Sequence, residues 1–356
     1  MNRRPRVAKL SDVAEAAGVS VAAVSRYLGG SLTLSVETAA RIDAAVQKLK
    51  YRPNPHARSL SRGRSETIGL VLPDISNPFF GRMAAGVEAA VGAHGYGLVL
   101  CATLNRPGRE LEYLERLRRN YLDGLIFMTN HVGDRDLARA INRAGLVVLA
   151  DEDVGGAKAH KIFCENENGA YLATRHLLEA GHRRIAFLGS LRGLLTTEER
   201  LAGYRRAIRE LGPSAQSIGE FFGEYTIESG REATEKLIAA GTTATAVFYN
   251  SDQGAVGGLN VLHRYGLRVP DDVSVVAFDD VEPLHLFGPP ITAIKQPVDE
   301  IGKRSVEAVI ARLKNNKLKN GVQRLPVTLI ERESVAPPHR PRRRMMPRAV
   351  GLSAVS

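Results

Sequence analysis

The chain has 356 residues, an apolar fraction of 44% and a formal net charge of +11. That length exceeds one ordinary domain, and the composition is that of a globular protein with enough sequence to bury cores. No apolar run reaches the length of a membrane span, and the basic start Met1-Asn2-Arg3-Arg4 leads into no signal-peptide stretch, so a cytoplasmic protein with no membrane partner is expected.

The charge is unevenly spread. Residues 1–64 hold 12 Lys/Arg against 4 Asp/Glu, residues 338–356 hold 5 Arg and no acid, and the remainder is close to neutral. A basic head on a nearly neutral body is the electrostatic footprint of a nucleic-acid-binding module on a larger domain. A solubilising surface would look the same by charge alone. Cys101 and Cys164 sit in apolar strand-like runs and read as two buried thiols in a reducing compartment.

In chain order, Leu10–Ala17 has helical spacing of apolar residues, and Gly18 supplies a turn where positive φ costs little. Ser20 is placed to cap a second short helix, Val21–Leu28, and Ser35 a third with Ala39, Ile42, Val46 and Leu49 inward. Two short helices across a tight glycine turn, buttressed by a third, form the helix-turn-helix plan, whose second helix enters the DNA major groove.

From Ser65 onward, apolar strands alternate with amphipathic helices. The strand-like runs are Ile68–Leu72, Gly97–Cys101, Gly124–Met128, Leu146–Ala150, Ile185–Leu188, Ala246–Tyr249 and Val273–Phe278. Helical stretches such as Phe80–Gly92, Arg109–Arg119 and Ala170–Ala180 separate most of them. Such alternation implies α/β lobes with parallel, doubly wound sheets. About six strands are expected before residue 165 and another set after it.

Several motifs together carry a resemblance. Asp12-Val13-Ala14, Ala17-Gly18-Val19-Ser20 and Val24-Ser25-Arg26 resemble the headpiece of the LacI/GalR family of bacterial transcription regulators. Tyr51-Arg52-Pro53-Asn54 and Ala57-Arg58-Ser59-Leu60 are similar to that family's hinge. Farther on, Asn77-Pro78-Phe79-Phe80, Gly181-His182-Arg183-Arg184-Ile185, Arg200-Leu201-Ala202-Gly203-Tyr204 and Gln296-Pro297 extend the likeness over nearly the whole chain.

The resemblance implies an all-α headpiece (1–50), a hinge (51–64) and a two-lobed periplasmic-binding-protein-like domain (65–337); beyond it, residues 338–356 combine Pro with an Arg cluster and little to pack, and a basic, disordered tail is expected. The N-lobe would take 65–164 and 296–326, and the C-lobe 165–295 and 327–337. It implies DNA contacts from Ser20, Val21, Ala22, Ala23, Ser25 and Arg26, and hinge contacts from Asn54, Ala57 and Arg58, with Leu60 wedged between base pairs. Val21 to Ala23 depart from the polar side chains common there, so they can meet thymine methyls but cannot hydrogen-bond to bases.

The same resemblance implies an effector cleft lined by Asn77, Phe79, Phe80, Asp151, Arg200, Asp279 and Gln296, with Thr196 and Phe248 in second rank; Glu152 and Ser251 join the set as departures, standing where relatives carry Arg and Asn. Carboxylates accept from hydroxyls, arginine donates, and aromatic rings cover apolar sugar faces, so the set suits a sugar or polyol. More acids than arginines disfavour an acidic ligand. Taken singly, each residue also has a structural reading. Phe79 and Phe80 could be core, Asp151, Asp252 and Asp279 could cap helices, and Arg200 could be a surface ion-pair partner.

No dinucleotide fingerprint, P-loop or nucleophile elbow appears, and the histidines and cysteines lack metal spacing. No enzymatic activity, cofactor or metal is therefore expected. A solute-binding protein would fit the body but not the headpiece. The expected partners are a palindromic double-stranded DNA operator, a small-molecule effector and a second copy of the chain. The tail lacks the leucine heptads of a tetramerising coil, so a homodimer is favoured over a larger assembly, with its contact near Phe80–Gly92.

Overall fold

The structure is a computed structural model and describes residues 8–30, 32–51, 64–241, 243–315 and 319–338. The chain divides into two compact units, 1–65 and 66–356.

The first unit holds helices α1 (Leu10–Ala17), α2 (Val21–Leu28) and α3 (Val36–Lys48). Gly18 ends α1 in the left-handed region at φ 64°, which lets the chain turn at once into α2. The Ser20 side chain accepts from the Ala23 amide and Ser35 from the Thr38 amide, each satisfying a helix-end donor. Val13, Ala14, Ala17, Val24, Ile42 and Ala45 form the buried core. Tyr27 donates to Asp43 at 3.0 Å and ties α2 to α3.

The second unit contains two six-stranded sheets. The first runs β11-β5-β4-β3-β1-β2, all parallel, from β1 (Thr67–Leu72), β2 (Gly97–Ala102), β3 (Gly124–Phe127), β4 (Val147–Ala150), β5 (His160–Cys164) and β11 (Val322–Leu325). The second runs β12-β10-β9-β8-β6-β7, from β6 (Arg184–Gly189), β7 (Gln216–Phe222), β8 (Ala246–Tyr249), β9 (Ser274–Phe278), β10 (Thr292–Lys295) and β12 (Thr328–Ile330). Only β12 is antiparallel there, against β10. Five strands precede residue 165, against the six or so expected.

Helices cover both faces, as parallel sheets require. In the N-lobe α4 (Pro78–Ala93) pairs with α11 (Val298–Asn315), and α5 (Pro107–Arg118) with α6 (Arg135–Ala144). In the C-lobe α7 (Asn166–Glu179) pairs with α8 (Leu195–Leu211), and α9 (Ile227–Ala239) with α10 (Asp252–Arg264). Strand alternation sorts the side chains. Ile68, Leu70 and Leu72 of β1 face α4, while Val71 joins the core on the α5–α6 side.

The chain changes sheets three times, between β5 and α7, between β10 and α11, and between β11 and β12. Three chain segments thus link the two lobes beside the crevice at the strands' carboxyl ends. Among the described residues, no helix is long and apolar enough to cross a membrane and no His/Cys/Asp/Glu group could hold a metal ion. Cys101 and Cys164 are free and buried.

Gly203, within the Arg200–Tyr204 motif, is fixed by packing. A Cβ there would lie 2.0 Å from the Glu167 carbonyl oxygen on α7. The α7–α8 crossing therefore depends on a missing side chain. Gly203→Ala should cost about 1–3 kcal/mol from overpacking. Ala202→Ser, on the exposed side of the same turn, should stay within about 0.5 kcal/mol. Urea denaturation of both variants checks this, and equal midpoints would contradict it.

Candidate functional site

A crevice opens between the lobes at the carboxyl ends of the strands, with about 360 Å³ of atom-free space that includes open solvent at its mouth. Asn77, Phe79, Phe80, Asn130 and Asp151 line its N-lobe wall, Thr196, Arg200, Tyr225, Asp252 and Asp279 its C-lobe wall, and Gln296 the second crossover. Asn77 caps α4, accepting from the Phe79 amide at 2.9 Å, and so aims the first turn of the helix at the crevice. The Phe79 and Phe80 rings meet edge to face at 5.2 Å and both contribute to the core as well as to the wall.

Two aspartates occupy matching places. Asp151 follows β4 and Asp279 follows β9, each the residue after the fourth strand of its lobe, and both have left-handed φ, 67° and 73°. Non-glycine residues rarely adopt that conformation, and Asp is among those that tolerate it. The turn halts each strand and places its carboxyl at the crevice. Backbone strain of this kind recurs at ligand sites.

Arg200, one turn into α8, is 2% exposed. Its Nε donates to Asn166 Oδ1 at 2.9 Å and its Nη1 to the Asn250 carbonyl at 2.6 Å. The guanidinium carbon lies 3.7 Å from the Phe278 ring centroid, a desolvated cation–π contact, and Nη1 is 3.6 Å from Asp279. Asp279 accepts from Gln296 Nε2 at 2.5 Å.

Burial dominates the acids. Desolvation pushes Asp151 up to about 7, opposed by Arg200 and aided by Asp279 and Glu152. Asp252 is likewise raised to about 7 by burial and then by Asp279, and burial also raises Asp279 against the pull of Arg200. Asp151 Oδ1 and Gln296 Oε1 are buried and meet no hydrogen-bond partner among the described residues. Buried acceptors are normally paired, so these two have capacity for donors on a ligand.

Of the residues singled out from the sequence, Asn77, Phe79, Phe80, Asp151, Thr196, Arg200, Asp279 and Gln296 meet in the crevice. Three do not. Phe248 is fully buried on the α7–α8 face of its sheet, 5.5 Å from the Phe187 ring, because strand alternation turns it into the core. Ser251 is the N-cap of α10 and accepts from the Gly254 amide. Glu152 points at the start of α8 rather than into the crevice, with both carboxyl oxygens occupied.

Three lining residues escaped sequence reasoning. Asn130 and Tyr225 sit on loops whose course no periodicity reveals. Asp252, expected to cap its helix, is the first helical residue and leaves the cap to Ser251. The Tyr225 hydroxyl bonds with the Thr196 and Thr197 hydroxyls.

On the headpiece, Val21 and Ala22 are exposed at the start of α2 and Ala23 partly so, with Arg26 exposed one turn on. Ser25 is half-buried, and the Ser20 hydroxyl is occupied as the helix cap. Asn54, Ala57, Arg58 and Leu60 lie outside the described residues.

The raised Asp151 has a consequence for stability. The folded state holds a proton that the unfolded chain, at its ordinary value of 3.8, has already released. The contribution is full below about pH 4 and is lost as pH rises through about 7. Asp151→Asn should therefore stabilise the protein by on the order of 1–4 kcal/mol at pH 8 and far less at pH 4. Paired thermal melts check this, and a gain independent of pH would contradict it.

Comparison with known proteins agrees with both units. Residues 9–54 match the family described as bacterial regulatory proteins, lacI family, and residues 174–335 match the periplasmic binding protein-like domain. The HTH-type transcriptional regulator GalR of Escherichia coli (strain K12) is 33% identical over 332 residues, spanning 93% of this chain and 97% of its own. The HTH-type transcriptional repressor PurR of Aliivibrio salmonicida (strain LFI1238) is 32% identical over 92% of this chain and 99% of its own. A crystal structure of the lac repressor dimer bound to operator and the anti-inducer ONPF superposes with a TM-score of 0.81, at 28% identity, over 93% of this chain and all of its own. These relatives are transcription regulators rather than enzymes. The chain belongs to the LacI/GalR family of bacterial DNA-binding transcription regulators.

Proposed function

We propose that this protein is a cytoplasmic repressor that binds a palindromic operator as a homodimer, under the control of a neutral sugar or polyol held between its lobes. The observation that carries the effector reading is the set of crevice acceptors. Asp151 Oδ1 and Gln296 Oε1 are buried without partners, beside a guanidinium already anchored on two of its nitrogens. Hydroxyl groups supply donors to such acceptors, and Phe79 and Phe80 offer apolar surface for a ring face. Burial disfavours charge in this crevice, holding Asp151, Asp252 and Asp279 toward their neutral forms, and Arg200 is already engaged, so a carboxylate or phosphate on the ligand is disfavoured.

The effector acts by differential affinity for two lobe arrangements, which in turn sets whether paired hinges engage DNA. Ser20, Val21, Ala22, Ala23, Ser25 and Arg26 are the proposed major-groove contacts. Asn54, Ala57, Arg58 and Leu60 are the proposed hinge contacts. The N-lobe is the proposed dimer surface. Beside α4, the edge strand β2 exposes Val99 and Leu100, which are 38% and 44% accessible, an apolar edge that a second copy would cover.

Calorimetric titration with neutral sugars, polyols and sugar acids tests the effector class. Binding confined to neutral polyhydroxyl compounds and abolished by Asp279→Ala is expected, and selective binding of an acid would overturn the assignment. For DNA, Arg26→Ala should weaken operator binding by about 1–3 kcal/mol and relax base preference. Mobility shifts across a salt series check this, and a steep salt slope should persist because the remaining basic residues of the headpiece and hinge are untouched.

A further inference from the structure

Helix α8 carries Thr196 and Arg200 into the crevice, yet it has no cap of its own. Its N-cap residue is Leu194, whose side chain cannot accept a hydrogen bond. The first amides of a helix need acceptors, and the positive end of its dipole favours a carboxylate. Here the acceptor comes from the other lobe. Glu152 Oε1 accepts from the Leu195 amide at 2.7 Å, and Oε2 accepts from the Thr196 amide at 3.2 Å and the Thr196 hydroxyl at 2.7 Å. Oε1 also accepts from the Asp153 amide at 2.9 Å, which fixes the carboxylate to its own lobe. Glu152 is 2% exposed and does not line the crevice.

The same helix is tied to the N-lobe again one turn on. Glu199 receives a two-pronged ion pair from Arg324 of β11, at 2.8 and 2.5 Å. We infer that Glu152 is a latch, a positioning residue that caps α8 across the crevice and so favours the closed arrangement of the lobes. Opening strips the cap from α8 and leaves a carboxylate and three donors to find other partners. Closure brings Thr196 and Arg200 opposite Asp151 without Glu152 touching the ligand. The role in regulation rests on the effector reading above, while the latch itself does not.

The test is made on the full chain with no small molecule added, so its outcome is independent of the effector's identity. Nitroxide labels are placed at Arg135→Cys on the N-lobe and Leu191→Cys on the C-lobe, both exposed positions, while Cys101 and Cys164 are buried. Pulsed dipolar spectroscopy reads the distance distribution. The parent should show one dominant short distance. Glu152→Ala should add a longer population, raising the open fraction about tenfold, the effect of losing one good cap. Glu152→Gln should fall between, and it carries the test if the alanine variant fails to fold.

Thr226→Ala separates latch from ordinary cap. Thr226 caps α9 from within the C-lobe, accepting from the Ser229 amide at 3.1 Å. It should lower the melting temperature and leave the interlobe distance unchanged. Distributions of the Glu152 variants that superimpose on the parent, or an equal opening in Thr226→Ala, would overturn the latch.

Discussion

A guanidinium with almost no solvent contact is costly unless its surroundings replace water on every side. Arg200 is placed in that position, and much of the C-lobe wall can be read as the replacement. Phe278 supplies a ring face, Asn166 and the Asn250 carbonyl supply acceptors, and Asp279 supplies countercharge. Those partners come from β9, α7 and the loop after β8, so the one side chain binds three elements together. Asp279 is in turn held by Gln296, on a crossover between lobes. The charged centre of the crevice is thereby linked to a segment that crosses between the lobes.

The acids complete the same balance. Asp151, Asp252 and Asp279 crowd one buried cation, and each is held toward its neutral form by burial. A crevice of this kind has acceptors and donors to spare but little net charge to offer an ion. The arrangement agrees with a ligand that brings hydroxyls rather than formal charge, and it places the crevice's chemistry at the carboxyl ends of parallel strands, where open sheets bind ligands.

How much of this was legible depended on how local the cause was. Helices α1 and α2 have the bounds read from the sequence because apolar spacing, Gly18 and the Ser20 cap all act within a few residues. The strongly apolar strands β1, β3, β8 and β9 were also visible. The edge strands β7, β11 and β12 were not, since half-exposed segments carry weak alternation and owe their pairing to distant neighbours. Asp151 and Asp279 could be placed at strand ends, but their shared left-handed turn is a property of the folded backbone.

The sequence by itself determined the family, the headpiece, the α/β character of the body and most of the crevice, because motif residues and hydrophobic periodicity are local signals. Tertiary structure alone decided the orientation of side chains that two or more elements compete for. Strand alternation sent Phe248 into the core, loop courses brought Tyr225 and Asn130 to the crevice, and Asp252 ceded the helix cap to Ser251. It also decided that Glu152, which from its position beside Asp151 reads as a ligand contact, faces a helix end in the opposite lobe. No sequence spacing encodes that contact. It depends on where the two lobes come to rest against each other.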